Sequence, residues 1–266
     1  MPTLADVVDL LHAWYPPETA DGFDAVGLVA GDPSAEVVKV MFAVDPTIEV
    51  AREAVEWGAD LLVVHHPLFL TPVSSVAATT PKGRTLHTLT SGGCALLTAH
   101  TNADQASSGV SEALALALGL RDPAPILPAS EGATTGTGRV GTVAETTLEA
   151  FATRVGEALP ATAHGVRVAG APDRVVRRVA VCGGSGDFLL DELAHGDVDV
   201  YVTSDLRHHR AAEFLEHGGP ALVDVAHWAA EWTWLPVVEA RLREAMGDRV
   251  GTRVSTLCTD PWSFRY

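Results

Sequence analysis

The chain has 266 residues, 47% of them hydrophobic and 20% charged, a composition that is typical of globular proteins and excludes a disordered chain. Its 34 acidic and 18 basic side chains give a formal net charge of −16 at pH 7. A surface this acidic argues against general binding of nucleic acids or anionic membranes, although a bound cation could still attract a phosphorylated small molecule.

Apolar, β-branched runs alternate with stretches rich in Ala, Leu and Glu in the first half of the chain, as they do in βαβ units. This alternation predicts, in chain order, helix Leu4–Trp14, strand Val37–Val44, helix Ile48–Trp57, strands Leu61–Val64 and Ala95–Thr98, and helix Ser111–Leu118. The strands are almost entirely apolar, which is typical of strands that are covered on both faces of a sheet.

The segment Asp122–Gly141 interrupts this pattern with several prolines and glycines, and it therefore predicts a boundary. The alternation then resumes with strand Arg139–Glu145, helix Leu148–Leu159, strands Gly165–Val168 and Val175–Cys182, helix Phe188–Ala194, strand Val198–Thr203, helix Arg207–Glu216, strand Ala221–Val225, helix Ala229–Ala245 and strand Arg253–Leu257. We therefore predict an α/β fold of two domains with mostly parallel sheets.

Two histidines, His65 and His66, directly follow the apolar strand Leu61–Val64, and Pro67 ends that strand. Ligands of open α/β sheets bind beyond the carboxyl ends of strands, so both imidazoles fall where a site is expected. Because the chain turns at the end of a strand, the two rings could reach two different metal ions. The alternative is one histidine in the core and one in solvent.

A second apolar strand, Ala95–Thr98, also ends in polar side chains, because His100 and Asp104 follow it. Both side chains are metal ligands in many proteins. The alternative is a simple turn, since the Thr, Asn and Asp residues of this segment favour turns.

A third strand end, after Ala221–Val225, is followed by His227 and Glu231. On a helix that begins near Ala226, these residues are one turn apart and share a face, so an imidazole and a carboxylate could meet one metal ion. The alternative is an exposed His–Glu pair at the start of a helix.

Together the three strand ends supply a set of nitrogen and oxygen ligands, with His100 in reserve: His65, His66, Asp104, His227 and Glu231. A catalytic zinc ion usually has three protein ligands and a water, so this set is too large for one ion. It suits two divalent ions with a bridging carboxylate, and because no thiolate is included, Zn, Fe, Mn, Co and Ni are all candidates.

This ligand set also predicts how the domains are arranged along the chain. His227 and Glu231 follow the second half of the sequence but must meet ligands from the first half. We therefore predict a discontinuous metal-binding domain of residues 1–126 and 221–266, with a second α/β domain of residues 127–220 inserted into it.

Two further segments could contribute to a site. Asp205 is predicted to be the N-cap of the following helix, and His209 could act as an acid–base group, as could His100. The segment Cys182–Gly186 follows a strand, and its backbone N–H groups could hold an anion; the alternative is that its glycines serve turn geometry alone.

These motifs resemble those of the Nif-three-like dinuclear-metal-centre family, whose members are commonly labelled GTP cyclohydrolase 1 type 2 homologues. The strings that carry the resemblance are Asp24–Leu28, Ala43–Thr47, His65–Phe69, His100–Asp104, Cys182–Gly186, Thr203–His209, Asp224–Glu231 and Thr259–Trp262. The resemblance implies that Glu231 bridges two ions, that His65 and Asp104 serve one ion, and that His66 and His227 serve the other. It also implies a homohexameric ring of subunits with the sites facing an internal cavity.

A pair of metal ions would activate a water, so the leading hypothesis is a metal-dependent hydrolase of a nucleotide-like small molecule. The resemblance implies the GTP cyclohydrolase type, and a phosphoesterase that uses the same metal-bound water is equally compatible. The alternative is a non-catalytic, metal-binding hexameric scaffold or a regulatory interaction protein. Neither function involves general nucleic-acid binding or a membrane.

The three cysteines of the chain indicate the compartment. Cys94, Cys182 and Cys258 are far apart and lack a CxxC spacing, which is typical of a reducing cytoplasm. The N-terminus has no signal-peptide pattern, and no apolar run approaches the length of a membrane span. We therefore expect a cytoplasmic protein.

Overall fold

The computed structural model describes residues 1–266 as a mixed α/β protein. Its strands are β1 (Gly27–Ala30), β2 (Lys39–Ala43), β3 (Leu61–Val64), β4 (Ala95–Thr98), β5 (Arg121–Ala124), β6 (Leu127–Pro128), β7 (Gly136–Thr137), β8 (Arg139–Thr147), β9 (Val166–Ala169), β10 (Val175–Ser185), β11 (Val200–Ser204), β12 (Ala221–Val225) and β13 (Gly251–Val254). Its α-helices are α1 (Leu4–Trp14), α2 (Ile48–Trp57), α3 (Pro81–Ser91), α4 (Thr101–Gln105), α5 (Val110–Ala117), α6 (Leu148–Ala158), α7 (Leu190–Leu193), α8 (His208–Glu216), α9 (His227–Trp232) and α10 (Leu235–Met246). None of these helices combines the length and the apolar character that crossing a bilayer requires.

The chain forms two compact units. The first contains Met1–Ala106 and Leu235–Thr259, and the second contains Ser107–Trp234 and Asp260–Tyr266. Strand β13 belongs to the first unit because it pairs in parallel with β2. These limits differ from the predicted ones at residues 126 and 221, because β12 pairs with β11 and β9 and therefore lies in the sheet of the second unit.

The sheet of the first unit has the strand order β1-β4-β3-β2-β13. Its last four strands are parallel, and only the edge strand β1 runs antiparallel to its neighbour. Every residue of β3 and β4 is buried, as their continuous apolar runs predict. Because β2, β3 and β4 are parallel, the side chains that follow their carboxyl ends lie at the same edge of the sheet.

The sheet of the second unit has the strand order β5-β8-β10-β11-β12-β9. Strands β10, β11 and β12 form a parallel centre, their neighbours β8 and β9 run antiparallel to it, and the edge strand β5 runs antiparallel to β8. The Pro- and Gly-rich segment, whose composition predicts a boundary, instead forms the edge strand β5 and the small β6–β7 ribbon of this unit. The carboxyl ends of β11 and β12 again lie at one edge.

The predicted α/β class is confirmed, and five elements (α1, α2, β3, β4 and β12) have the predicted bounds. The prediction of one helix over Ala229–Ala245 was wrong, because α9 ends at Trp232 and α10 begins at Leu235. Pro236 at the second position of α10 is favourable at a helix start but would interrupt a continuous helix.

Helix α3 and strand β1 were not predicted. The sequence of α3 contains a glycine and three threonines, which are weak helix formers. Its start is nevertheless encoded locally, since the Thr80 side chain accepts a hydrogen bond from the Gly83 N–H and Pro81 occupies the first position.

Candidate metal-binding residues

In the first unit, His65 follows β3 and is fully buried. Its Nδ1 lies 2.9 Å from the carbonyl oxygen of Ala99. A carbonyl oxygen can only accept a hydrogen bond, so Nδ1 carries the proton and Nε2 presents the lone pair that a metal ion requires. This Nε2 lies 3.7 Å from Oδ1 of Asp104, on helix α4.

The neighbouring imidazoles are held in the same manner. Nδ1 of His66 lies 2.7 Å from Oδ1 of Asp45, and Nδ1 of His100 lies 2.8 Å from Oδ1 of Asp24. The potential ligand atoms of His65, His66 and His100 all lie within 4.8 Å of one another. These three side chains could therefore hold a metal ion, and His100 belongs to the cluster itself.

The carboxylate beside His100 is fixed by its own hydrogen bonds. The Asp24 side chain is buried and accepts hydrogen bonds from the backbone N–H and the hydroxyl of Thr101. Burial raises the pKa of Asp24, but the hydrogen bonds from Thr101 and His100 outweigh burial and bring the pKa below its ordinary value. Asp24 is therefore ionised at neutral pH and orients the His100 ring.

In the second unit, α9 begins at His227, so that His227 and Glu231 lie one helical turn apart on the same face. Nδ1 of His227 lies 2.7 Å from Oδ2 of Asp205, and its Nε2 lies 2.8 Å from Oε1 of Glu231. The Glu231 side chain is only 3% exposed. The imidazole thus lies between two carboxylates, one of them buried.

These two carboxylates dominate the electrostatics of His227. Burial by itself lowers the pKa of His227, but the charge of Glu231 and the hydrogen bond to Asp205 outweigh burial and raise the pKa to about 11. Without a bound cation the ring is therefore protonated at pH 7. The two carboxylates stabilise positive charge at this position, and a divalent cation can supply that charge in place of the proton.

The interpretation of Asp205 as a helix N-cap was wrong. The N-cap residue of α8 is Arg207, and no side chain forms a capping hydrogen bond there. Asp205 adopts a left-handed conformation, with φ of 59°, and its carboxylate accepts the hydrogen bond from His227 instead. This bond is the main reason why the pKa of Asp205 lies below its ordinary value.

The glycine-rich segment at the end of β10 makes room for Glu231. Gly184 has φ of +68°, and a Cβ atom there would lie 2.6 Å from Oε1 of Glu231 and 3.3 Å from Nε2 of His227. From the sequence, this segment had two possible roles, anion binding and turn geometry. The structure adds a third reason for glycine, which is close approach to a buried carboxylate.

We expect the Gly184→Ala substitution to displace the Glu231 carboxylate, because the new methyl group would overlap it. Since the charge of Glu231 raises the pKa of His227, this pKa should fall in the variant. An NMR titration of His227 in chelator-treated protein measures the change. Gly218→Ala is the matched control, because Gly218 also has positive φ (+78°) but a Cβ atom there would meet no other atom within 4 Å. An unchanged His227 titration in Gly184→Ala would contradict the proposed overlap.

His209, the remaining candidate, takes part in none of these hydrogen bonds. His209 is exposed in the first turn of α8, and its ring lies 5.2 Å from that of His208, measured between centroids.

Of the predicted ligands, His65, His66 and Asp104 belong to the first unit, whereas His227 and Glu231 belong to the second. The carboxylates of Asp24, Asp45 and Asp205, which orient three of the imidazoles, were not predicted as site residues.

The chain matches the family model described as Duf34/NIF3 (NGG1p interacting factor 3) over residues 2–261. The chain belongs to the Duf34/NIF3 family. The resemblance that the histidine motifs indicated is therefore confirmed, and it extends over nearly the whole sequence.

Relatives named "GTP cyclohydrolase 1 type 2 homolog" support this assignment. The Streptomyces coelicolor protein is 49% identical over 99% of this chain and 94% of its own length. The Mycobacterium tuberculosis protein is 37% identical over 98% of this chain and 96% of its own length.

Two solved structures have the same fold as this chain. A Bacillus cereus protein related to NIF3 is 25% identical, with a TM-score of 0.91 and coverage of 99% of both chains. A Staphylococcus aureus hypothetical protein is 28% identical, with a TM-score of 0.90 and complete coverage of both chains. The α/β architecture of this chain is thus that of a solved protein related to NIF3.

Proposed function

We propose that this Duf34/NIF3 protein binds two divalent metal ions per chain and is a metal-dependent hydrolase of a nucleotide-like small molecule. The proposed ligands are those predicted from the sequence: His65, His66, Asp104, His227 and Glu231. In this proposal these five residues would hold the ions, and Glu231 would be the ligand that both ions share.

The observation that carries the proposal is the shared orientation of four imidazoles. In His65, His66, His100 and His227, Nδ1 lies within hydrogen-bond distance of a carbonyl or carboxylate oxygen. Metal-ligating histidines almost always have such a partner, because it fixes the ring and raises the basicity of the ligating nitrogen. The shared arrangement would make Nε2 the ligating atom of a histidine in this set.

The chemistry of the donor set fits divalent transition metals. Imidazole and carboxylate ligands suit Zn, Fe, Mn, Co and Ni, and no cysteine is among the proposed ligands. When bound, ions of this kind lower the pKa of a coordinated water to about 7 and thereby supply a nucleophile at neutral pH.

The protein's own residues orient the ligands and exclude water. Asp24, Asp45 and Asp205 hold the rings of His100, His66 and His227, respectively. Burial of His65 and Glu231 keeps water away from both side chains, which strengthens their electrostatic interactions with charged groups. His100 and His209 are the proposed acid–base groups.

The GTP cyclohydrolase name of the relatives suggests guanine nucleotides as substrates. Hydrolytic opening of the guanine five-membered ring releases formate, whereas a phosphoesterase releases inorganic phosphate. The product therefore distinguishes the two kinds of hydrolase.

To test the proposal, purified protein should be loaded with each candidate metal and incubated with a panel of nucleotides that includes GTP. We expect product release that depends on metal and is abolished by His66→Ala. His87→Ala is the control, because His87 is exposed on α3 and belongs to neither group of candidate ligands. Stoichiometric metal without turnover on any nucleotide would favour the non-catalytic scaffold or regulator instead.

The assembly and the compartment are also proposals. The family resemblance favours a homohexamer, which light scattering or analytical ultracentrifugation can test. The cysteines favour the cytoplasm, since all three are free thiols and none forms a disulfide.

A further inference from the structure

A cavity of about 400 Å³ lies in the first unit next to one of the proposed metal ligands. Its wall includes His66 and the beginnings of two helices, with Thr47 and Glu49 from α2 and with Lys82 and Arg84 from α3 among the lining residues. No other proposed metal ligand lines it. The cavity is therefore a distinct space that borders the proposed centre.

Two cations of this cavity have no counter-ion in the structure. Lys82 and Arg84 are exposed, and neither forms an ion pair, whereas ion pairs engage arginines such as Arg139, Arg167 and Arg177. The chain has only 18 basic side chains against 34 acidic ones. Because Lys82 and Arg84 both line this cavity and neither is engaged by a carboxylate, both are available to an anion that binds there.

The helix starts add to the positive potential of the cavity. The first N–H groups of a helix have no partners within the helix, and its N-terminus carries partial positive charge. Helices α2 and α3 both begin at the cavity wall and have 10 and 11 residues, respectively. The Thr47 and Thr80 side chains each accept a hydrogen bond from one of these N–H groups, so the helix starts contribute mainly their partial positive charge. Phosphate groups commonly bind where such a terminus is combined with basic side chains.

Two carboxylates oppose this potential. Asp45 is engaged by His66 and by the hydroxyl of Thr259. Glu49, in the first turn of α2, is the other acidic residue of the wall. Because Glu49 repels an anion in the cavity, it provides a second, independent way to test what the cavity binds.

We propose that this cavity is a phosphate-binding subsite and that Lys82 and Arg84 bind the phosphate group of a phosphorylated substrate. Because His66 is a proposed metal ligand and lines this cavity, a phosphate bound here would place the rest of the same molecule near the proposed centre. The assignment to the substrate rests on the proposed hydrolase function, whereas the binding of phosphate does not.

The experiment measures the binding of inorganic phosphate, and then of GTP and guanosine, by calorimetry in chelator-treated protein. Chelation is essential because bound metal ions would themselves bind phosphate. We expect the Lys82→Gln/Arg84→Gln double variant to bind phosphate and GTP at least about tenfold more weakly, since charge-assisted hydrogen bonds to phosphate are lost. Guanosine, which lacks phosphate, should bind both proteins equally.

Two single variants sharpen the test. Glu49→Gln should bind phosphate more tightly, an increase that no loss of folding can produce. Arg52→Gln is the control for the loss of a basic side chain outside the cavity, because Arg52 is exposed on α2 but does not line the cavity, and the affinity of this variant should equal that of the parent. Equal phosphate affinity in the parent and the double variant, or an equal loss in Arg52→Gln, would overturn the proposal.

Metal analysis of the same proteins separates this inference from the proposed function. The double variant should retain the metal content of the parent, because neither Lys82 nor Arg84 is a metal ligand. If the parent binds no metal but the double variant still loses phosphate affinity, the hydrolase proposal fails and the phosphate site stands. If metal and turnover are present but phosphate affinity is unaffected, only the phosphate site fails.

Discussion

Replacing Glu231 by Gln should remove both metal ions. The proposed bridging role requires both carboxylate oxygens, and the amide nitrogen of Gln is not a metal ligand. Loss of a partner that merely orients a ligand typically weakens metal binding 10–100-fold, so loss of a shared ligand should weaken it by at least about 100-fold. Metal analysis after dialysis should find less than one ion per chain in the variant.

Two comparisons make this expectation specific. Asp104→Asn should lose one ion and retain the other, because Asp104 serves a single ion in the proposed centre. Glu213→Gln removes an exposed carboxylate of α8, also in the second unit, and should retain both ions. Two tightly bound ions in Glu231→Gln would show that Glu231 does not bridge.

Replacing Arg139 by Leu should strongly destabilise the second unit. The Arg139 side chain is fully buried, and its guanidinium donates hydrogen bonds of 2.7 Å to the carbonyl oxygens of Gly136 and Gly138. It also lies 3.3 Å from Oε2 of Glu112, which is only 22% exposed. Removing the cation leaves these acceptors without their donor, and the loss of one partner of a buried pair costs about 3–5 kcal/mol.

Urea unfolding followed by circular dichroism measures this loss of unfolding free energy. The control is Arg177→Gln, which breaks an ion pair with Glu145 in which the two side chains are 66% and 61% exposed. Exposed pairs contribute at most about 1 kcal/mol, so this variant should remain close to the parent. Similar unfolding curves for the two variants would mean that the buried guanidinium is not essential to the second unit.

The sequence determined the elements whose signals are local. Strand β3 is a run of four apolar residues that ends before His65-His66-Pro67, and the structure has the predicted bounds. The spacing of His227 and Glu231 likewise predicts that they share a helix face, and α9 places them so. The order of the motifs along the chain was also sufficient to indicate the family, which the comparisons confirmed.

The partners of the imidazoles depended on tertiary structure. Asp24 is 76 positions from His100, Asp45 is 21 positions from His66, and Asp205 is 22 positions from His227. Aspartate after a strand or before a helix has a local explanation as a turn or cap residue. No local pattern distinguishes these three aspartates from other aspartates that only cap a helix or form a turn.

The division into units was decided by strand pairing as well. The Pro- and Gly-rich composition of Asp122–Gly141 indicated a boundary there, but this segment pairs within the second unit, which contains Ser107–Trp234 and Asp260–Tyr266. Apolar runs and helix caps act within a few residues, so the sequence determines where elements form. Which strands pair, and which aspartate meets which histidine, follows from burying all these elements together, and only the tertiary structure decides it.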